Sequence, residues 1–192
     1  MLTPIDTAIP FESILIPPML VFCSFQQLPV MIEQGEKYGF RHYIPLVFVK
    51  GYSAQVLKAN MKIVGATEYG LLLYRDKLPK FNNGGQMVFN WFQWVSDGKD
   101  VPKIHPNQKP VRLLKRLISL FTGPGDVVIE PCAGSGTTLR AAAELGRSGY
   151  GFEICKEFYS RAESEMLRCV IQEPIGEARQ LLLADAMKEG SV

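Results

Sequence analysis

The clearest alternation of apolar and polar positions runs from residue 108 to residue 122, where Val111, Leu114, Leu117, Ile118 and Phe121 recur at helical spacing. Arg112, Lys115 and Arg116 fall off that face, Pro110 suits a first helical turn, and Gly123 is a stop signal, so the pattern predicts an amphipathic helix. Elsewhere short apolar runs predict strands over Met19–Phe25, Tyr43–Val49 and Glu68–Arg75, with a helix over Gln26–Tyr38. Val127, Val128 and Ile129 form a β-branched run bounded by turn signals, which predicts a parallel strand covered on both faces. A helix follows it through Leu139 to Leu145, capped by Thr137 and Thr138, and Gly149–Ile154 reads as the next strand. Residues 76–104 show no clear period. Strands alternating with helices in this way predict an α/β fold.

Composition narrows the class. The chain has 192 residues, 47% hydrophobic and 21% charged, enough to bury one sizeable core in an ordinary globular domain. No apolar run reaches the roughly 18 residues that cross a bilayer, and residues 1–30 lack a basic start followed by an apolar core. Cys23, Cys132, Cys155 and Cys169 are scattered without metal-type spacing, and only His42 and His105 could join them. These features point to a reduced, cytoplasmic protein with no metal and no membrane partner.

Chemistry concentrates in Asp126-Val-Val-Ile-Glu-Pro-Cys-Ala-Gly-Ser-Gly-Thr-Thr-Leu-Arg140, a strand, a small-residue loop and a helix start in succession. Gly134 and Gly136 let backbone approach a ligand closely, at the carboxyl end of a strand, where open α/β sheets bind ligands. No lysine occurs between Asp126 and Lys156, so the loop is not a triphosphate loop. Leu139 stands where a dinucleotide fingerprint needs its third glycine, and the Glu130 anion would repel pyrophosphate. One strand later, Glu153 is placed to accept both hydroxyls of a ribose. A ribose-bearing cation fits this set, which points to S-adenosylmethionine. The expected cofactor-binding residues are Glu130, Pro131, Cys132, Ala133, Gly134, Ser135, Gly136, Thr137, Thr138 and Glu153. A glycine turn in any doubly wound fold is the plainer reading of the loop alone, and a surface carboxylate that of Glu153 alone.

The ordered block His105-Pro-Asn-Gln-Lys-Pro110, its following helix, Gly123-Pro-Gly-Asp126, the Glu130–Thr138 loop and Gly151-Phe-Glu-Ile154 resembles the amino-directed DNA methyltransferases of the permuted β type. That family's loop usually opens Asp-Pro-Phe, so Glu130 and Cys132 are departures from it. Leu20-Val-Phe-Cys-Ser24, Tyr43–Lys50 and Thr67–Tyr74 look like the same family's later strands. The resemblance implies a Rossmann-like S-adenosylmethionine-dependent methyltransferase sheet in permuted order. It adds Lys109 and Pro110 to the cofactor pocket, where the alternative is a simple helix-entry turn, with His105 a packed imidazole. It also implies one domain over 1–192: later strands in 1–75, a DNA-recognition insertion in 76–104, a cofactor-binding half in 105–170, and a tail or helix in 171–192.

Charge supports a nucleic-acid partner. Lys37, Arg41, Lys50, Lys58, Lys62, Arg75, Lys77 and Lys80 face only Glu68 and Asp76 in the same stretch, a bias that suits duplex DNA phosphates or, residue by residue, an ordinary solvated surface. By resemblance Lys50 and Tyr52 approach the target base, or belong to a solvated loop. Lys77 and Lys80 complete the expected basic face. Trp91, Phe92 and Trp94 either stack on bases or pack in the core. The expected DNA-binding residues are thus Lys50, Tyr52, Lys77, Lys80, Trp91 and Trp94.

One element of the family pattern has no counterpart here, so no catalytic residue is assigned. The family holds its target amine with an Asp/Asn/Ser-Pro-Pro-Tyr/Phe tetrad, whose polar side chain and prolyl carbonyl accept from the amine while the ring stacks on the flipped base. Ile16-Pro-Pro-Met19 has neither the polar residue nor the ring. In related chains the tetrad lies just upstream of the segment resembling Pro4–Phe11, which places the start of this chain immediately after it. The strand carrying the tetrad should then be missing between the Val127 and Leu20 strands. A second polypeptide, a swapped segment of a homodimer, or a collapsed sheet would fill that place. The resulting expectation is a DNA adenine-N6 or cytosine-N4 methyltransferase in truncated or split form. The alternatives are an inactive S-adenosylmethionine- or DNA-binding remnant and an RNA- or protein-directed enzyme on the same fold.

Overall fold

The computed structural model describes residues 17–52, 55–77 and 80–170; the expected tail at 171–192, Pro4–Phe11 and Ile16 lie outside the described residues. The first half is a four-stranded sheet of β1 (Met19–Cys23), β2 (His42–Lys50), β5 (Thr67–Tyr74) and β6 (Trp91–Trp94), in the order β1-β5-β2-β6. β5 runs antiparallel to both neighbours, pairing Phe22 with Gly70 and Leu46 with Gly70 on its two sides, whereas β6 runs parallel to β2 from Val47↔Trp91 onward. Pro45 is tolerated in β2 because it precedes that pairing: Val47 donates its N–H to the Asn90 carbonyl, and two residues earlier, among the described residues, Pro45 meets no strand on that side but the Asn90 side-chain amide, which donates to its carbonyl at 3.0 Å. β3 (Gln55–Lys58) and β4 (Ile63–Gly65) form a separate hairpin between β2 and β5.

Helices cover both faces of this sheet. α1 (Leu28–Lys37) lays Leu28, Met31 and Ile32 on Phe40, Leu71 and Leu73. On the other side α2 (Val111–Phe121) packs Leu113 and Leu117 against Leu46, Phe48, Leu72 and Trp94. Alternation along β5 sends its leucines to opposite faces, and Gly70 leaves room for Phe48, whose ring lies 2.9 Å from where a Cβ would stand.

α2 starts three residues later than its apolar pattern suggested, and its cap is not local. Asp97 accepts the N–H of Val111 at 2.8 Å and that of Arg112 at 3.3 Å, satisfying two orphan donors from outside the helix. Asp97→Ala is expected to lower unfolding stability by about 1 kcal/mol, read by urea denaturation, because a helix cap and a favourable dipole interaction go together. An unchanged midpoint would show that the cap contributes nothing.

The second half is a parallel pair, β7 (Val127–Glu130) and β8 (Ser148–Gly151), linked by α3 (Thr137–Glu144) and followed by α4 (Lys156–Arg161). α2 also packs on α3: Val111, Leu114 and Ile118 meet Ala141 and Ala142. Glu144 ties the two helices through Lys115 at 2.9 Å and Arg140 at 2.7 Å; burial works against its charge, yet these two cations hold the carboxyl below its ordinary range.

Phe22 of β1 and Val128 of β7 both pack on that α2–α3 cluster, so one helix spans both sheets. Among the described residues β1 pairs only with β5 and β7 only with β8, so each has one side without a strand. The expectation of a β7 covered on both faces is corrected here: Val127 and Ile129 are 55% and 62% exposed, because among the described residues only the Val128 face meets a helix.

Candidate cofactor site

The Glu130–Thr138 loop leaves the carboxyl end of β7 and is bound tightly to the chain beyond β8. Phe152 donates its N–H to the Glu130 carbonyl, and Ala133 donates back to the Phe152 carbonyl at 2.9 Å. Glu153, two residues past the end of β8, accepts the Gly134 N–H at 2.8 Å through one carboxylate oxygen and the Cys155 N–H at 2.7 Å through the other. Glu130 accepts from the Cys132 N–H at 3.2 Å and the Thr138 hydroxyl at 3.1 Å. The two acidic side chains expected to meet a ligand therefore also shape the loop that would receive it.

Glycines divide the loop into a closed side and an open side. A Cβ at Gly136 would stand 3.2 Å from the Ala162 Cβ, and one at Gly151 would meet Leu139 and Ala133 at 2.8 and 2.9 Å. At Gly134 nothing lies within 4 Å of that position, and its φ of +53° excludes most side chains anyway. Open space thus lies beside Gly134, whose N–H is held by the Glu153 carboxylate. Pro131 and Cys132 are exposed on the loop, Ala133 is half-buried, and Ser135 and Thr137 are buried beneath it. The expected threonine caps are corrected: Gly136, in the left-handed region at φ +75°, is the N-cap of α3, Thr137 is its first residue, and Thr138 serves Glu130 instead.

Lys109 sits in a cluster that sequence reasoning did not assemble. Its ammonium lies 3.6 Å from Glu68, whose other oxygen is hydrogen-bonded to the Lys50 ammonium. Lys50 lies 4.8 Å from the centre of the Trp94 ring, and Lys109 lies 5.1 Å from that of Phe22. Three segments meet here, and Glu68, at the start of β5, was visible only as one of two acids in a basic stretch. Pro110 is buried at the N-cap of α2, and His105 packs edge-on against Phe158 at 4.6 Å while its Nδ1 accepts the Asn107 N–H.

The expected basic face does not come together. Lys50 ends β2, whereas Lys77 follows β5, whose end pairs Tyr74 with His42 at the opposite end of β2, because β5 runs antiparallel. Lys80 bonds both oxygens of Asp126 at 2.7 Å, at the start of β7 and away from the loop at its end. The Lys80 ammonium and the Gly123 N–H hold the Asp126 carboxyl below its usual range. Trp94, expected on DNA, is 6% exposed and belongs to the core with Phe92; Trp91, on the other strand face, is 51% exposed, as is Tyr52 at 53%.

A parallel strand, a glycine loop at its carboxyl end and a carboxylate after the next strand define an α/β domain of the S-adenosylmethionine-dependent methyltransferase type. Residues 24–164 match the family described as DNA methylase, the N6/N4 class, and the chain belongs to it. It is 33% identical over 132 residues to the DNA adenine methyltransferase YhdJ of Escherichia coli (strain K12), a match covering 66% of this chain and 45% of YhdJ. The chain thus spans less than half the length of that relative. Its fold superposes with TM-score 0.67 on M1.HpyAVI, crystallised with S-adenosylmethionine, at 27% identity over 76% of this chain and 72% of that one. PvuII DNA methyltransferase, cytosine-N4-specific, shares the fold with TM-score 0.65 at 18% identity, over 76% of this chain and 62% of its own. Among the described residues, no helix is long and apolar enough to cross a membrane.

Proposed function

We propose that this chain is the cofactor-binding part of a DNA amino-methyltransferase that takes S-adenosylmethionine and methylates adenine N6 or cytosine N4 in duplex DNA. The observation that carries this reading is the Glu153 carboxylate beside the open side of Gly134. A carboxylate offers about four acceptor positions, so two remain for ribose hydroxyls after the Gly134 and Cys155 N–H groups are satisfied. Glu130 and Glu153 give the site a negative character that suits a sulfonium cation and opposes phosphates. The loop residues Glu130–Thr138 would hold the cofactor, with Pro110 and Lys109 closing the pocket from the α2 entry. When bound, the cofactor supplies an electrophilic methyl group. The chain's own part is to orient it and to exclude water from it.

The same reading divides the molecule. Residues 105–170 form the cofactor half, 1–75 the later strands, and 76–104 the DNA-recognition segment, with Tyr52, Lys50 and Trp91 toward DNA. The place between β1 and β7 is assigned to a strand bearing the Asp/Asn/Ser-Pro-Pro-Tyr/Phe tetrad, which these 192 residues do not contain. Such a strand would come from a segment outside them, on the same polypeptide or another. A non-catalytic cofactor- or DNA-binding role is the rival reading, favoured only by the missing tetrad.

Calorimetry on the folded chain tests the cofactor assignment. S-adenosylmethionine should bind saturably at one site, and neither ATP nor NAD at the same concentration should displace it. Displacement by either nucleotide, or no binding, would contradict the assignment.

A further inference from the structure

A second concavity lies apart from the cofactor loop, between α2 and the outer edge strand β6. It encloses about 470 Å³ and is open to solvent. Phe89, Trp91 and Phe92 line it from the β6 side, and Arg112, Leu113 and Arg116 from α2. The Phe89 and Trp91 rings are 75% and 51% exposed and inclined at 30° to one another, with centroids 6.1 Å apart. Arg112 and Arg116, one helical turn apart and exposed, have no carboxylate within ion-pair distance among the described residues.

We propose that this groove binds an unpaired DNA strand, with a base against Trp91 or Phe89 and the backbone phosphates on Arg112 and Arg116. The proposal rests on DNA being the substrate and adds a site that shares no residue with the cofactor loop. Flat aromatic faces beside guanidinium groups are the combination that holds single strands without reading their sequence. A duplex presents phosphates outward and keeps its base faces stacked, so it could use the arginines but not the rings. Unpaired arginines in an apolar groove call for an anion that also carries π-surface. A nucleotide strand supplies both, and the volume accommodates a base.

The probe is a labelled oligothymidine of about 12 nucleotides, titrated at low salt and followed by anisotropy and tryptophan emission. Trp94 is buried, so quenching reports on Trp91. Binding with quenching is expected, together with a loss of at least about tenfold in Trp91→Ala and in the pair Arg112→Glu/Arg116→Glu. Both substitutions are at exposed positions, and cofactor affinity measured on the same preparations should be unchanged. Oligothymidine binding that neither variant weakens would overturn the proposal. So would a wild-type chain that binds cofactor and duplex but not the oligomer, since the functional reading then survives without the groove. Self-association abolished by Trp91→Ala, with oligothymidine unable to compete, would assign the groove to a protein partner and equally overturn it. Failure of cofactor binding alone, with the oligomer still held through Trp91, would count against the cofactor assignment and leave the groove standing.

Discussion

Replacing Glu153 by alanine is expected to weaken S-adenosylmethionine binding by at least about a hundredfold. The carboxylate accepts two backbone N–H groups that set the loop, and on the proposed reading its remaining acceptor positions take two ribose hydroxyls. Hydrogen bonds to a charged acceptor contribute about 1.5–3 kcal/mol each, so losing the ribose pair alone accounts for that factor. The Gly134 and Cys155 N–H groups would also lose their acceptor, which loosens the loop and adds to the loss. Glu153→Gln keeps the shape and one acceptor oxygen and should fall between wild type and alanine. Calorimetry reads the affinities, and thermal unfolding without cofactor separates loop damage from lost ligand contacts. Full affinity in the alanine variant would remove Glu153 from the site.

The parts of this site that were legible in the sequence are those whose chemistry is local. Gly134 and Gly136 announce themselves because the backbone there adopts positive φ, and Glu153 because it stands in Gly151-Phe-Glu-Ile154, one strand after the loop; that it also holds the loop through two backbone N–H groups was not legible. The α2 stripe is legible because Val111, Leu114, Leu117 and Ile118 all face packed neighbours. What escaped was set by distant pairing. Asp97 caps α2 from fourteen residues upstream, so nothing at the helix start revealed where it begins. Lys50, Glu68 and Lys109 lie on three segments and meet only because β2, β5 and the α2 entry converge. Lys77 seemed to extend the Lys50 face until β5 carried the chain back to the other end of the sheet. Trp91 and Trp94 stand on opposite faces of a strand only four residues long, too short for its alternation to be read.

The largest expected effect concerns methyl transfer itself. Transfer to an exocyclic amine needs hydrogen-bond acceptors held within about 3 Å of the nitrogen and a ring to hold the flipped base. In these 192 residues no tetrad offers that set. Asp97, a polar residue that could otherwise be considered, is committed to the N-terminus of α2. On the proposed reading a strand bearing the tetrad docks at the edges of β1 and β7 that are unpaired among the described residues, below the helix on which Phe22 and Val128 both pack. Parallel pairing with β7 would align the end of that strand with the end of β7, beside the loop. Among the described residues β1 and β7 each pair on one side only, so the chain without that strand should be prone to self-association through the unpaired edges.

The decisive measurement is transfer of labelled methyl from S-adenosylmethionine to duplex DNA, made on homogeneous preparations of the 192 residues alone and of the same residues with a tetrad-bearing strand segment supplied. Incorporation should be at background for the chain alone and rise well above it with the segment, and the rise should disappear when the polar residue of the tetrad is replaced by alanine. Robust transfer by the 192 residues alone, or none with the segment although both cofactor and DNA are bound, would contradict the account.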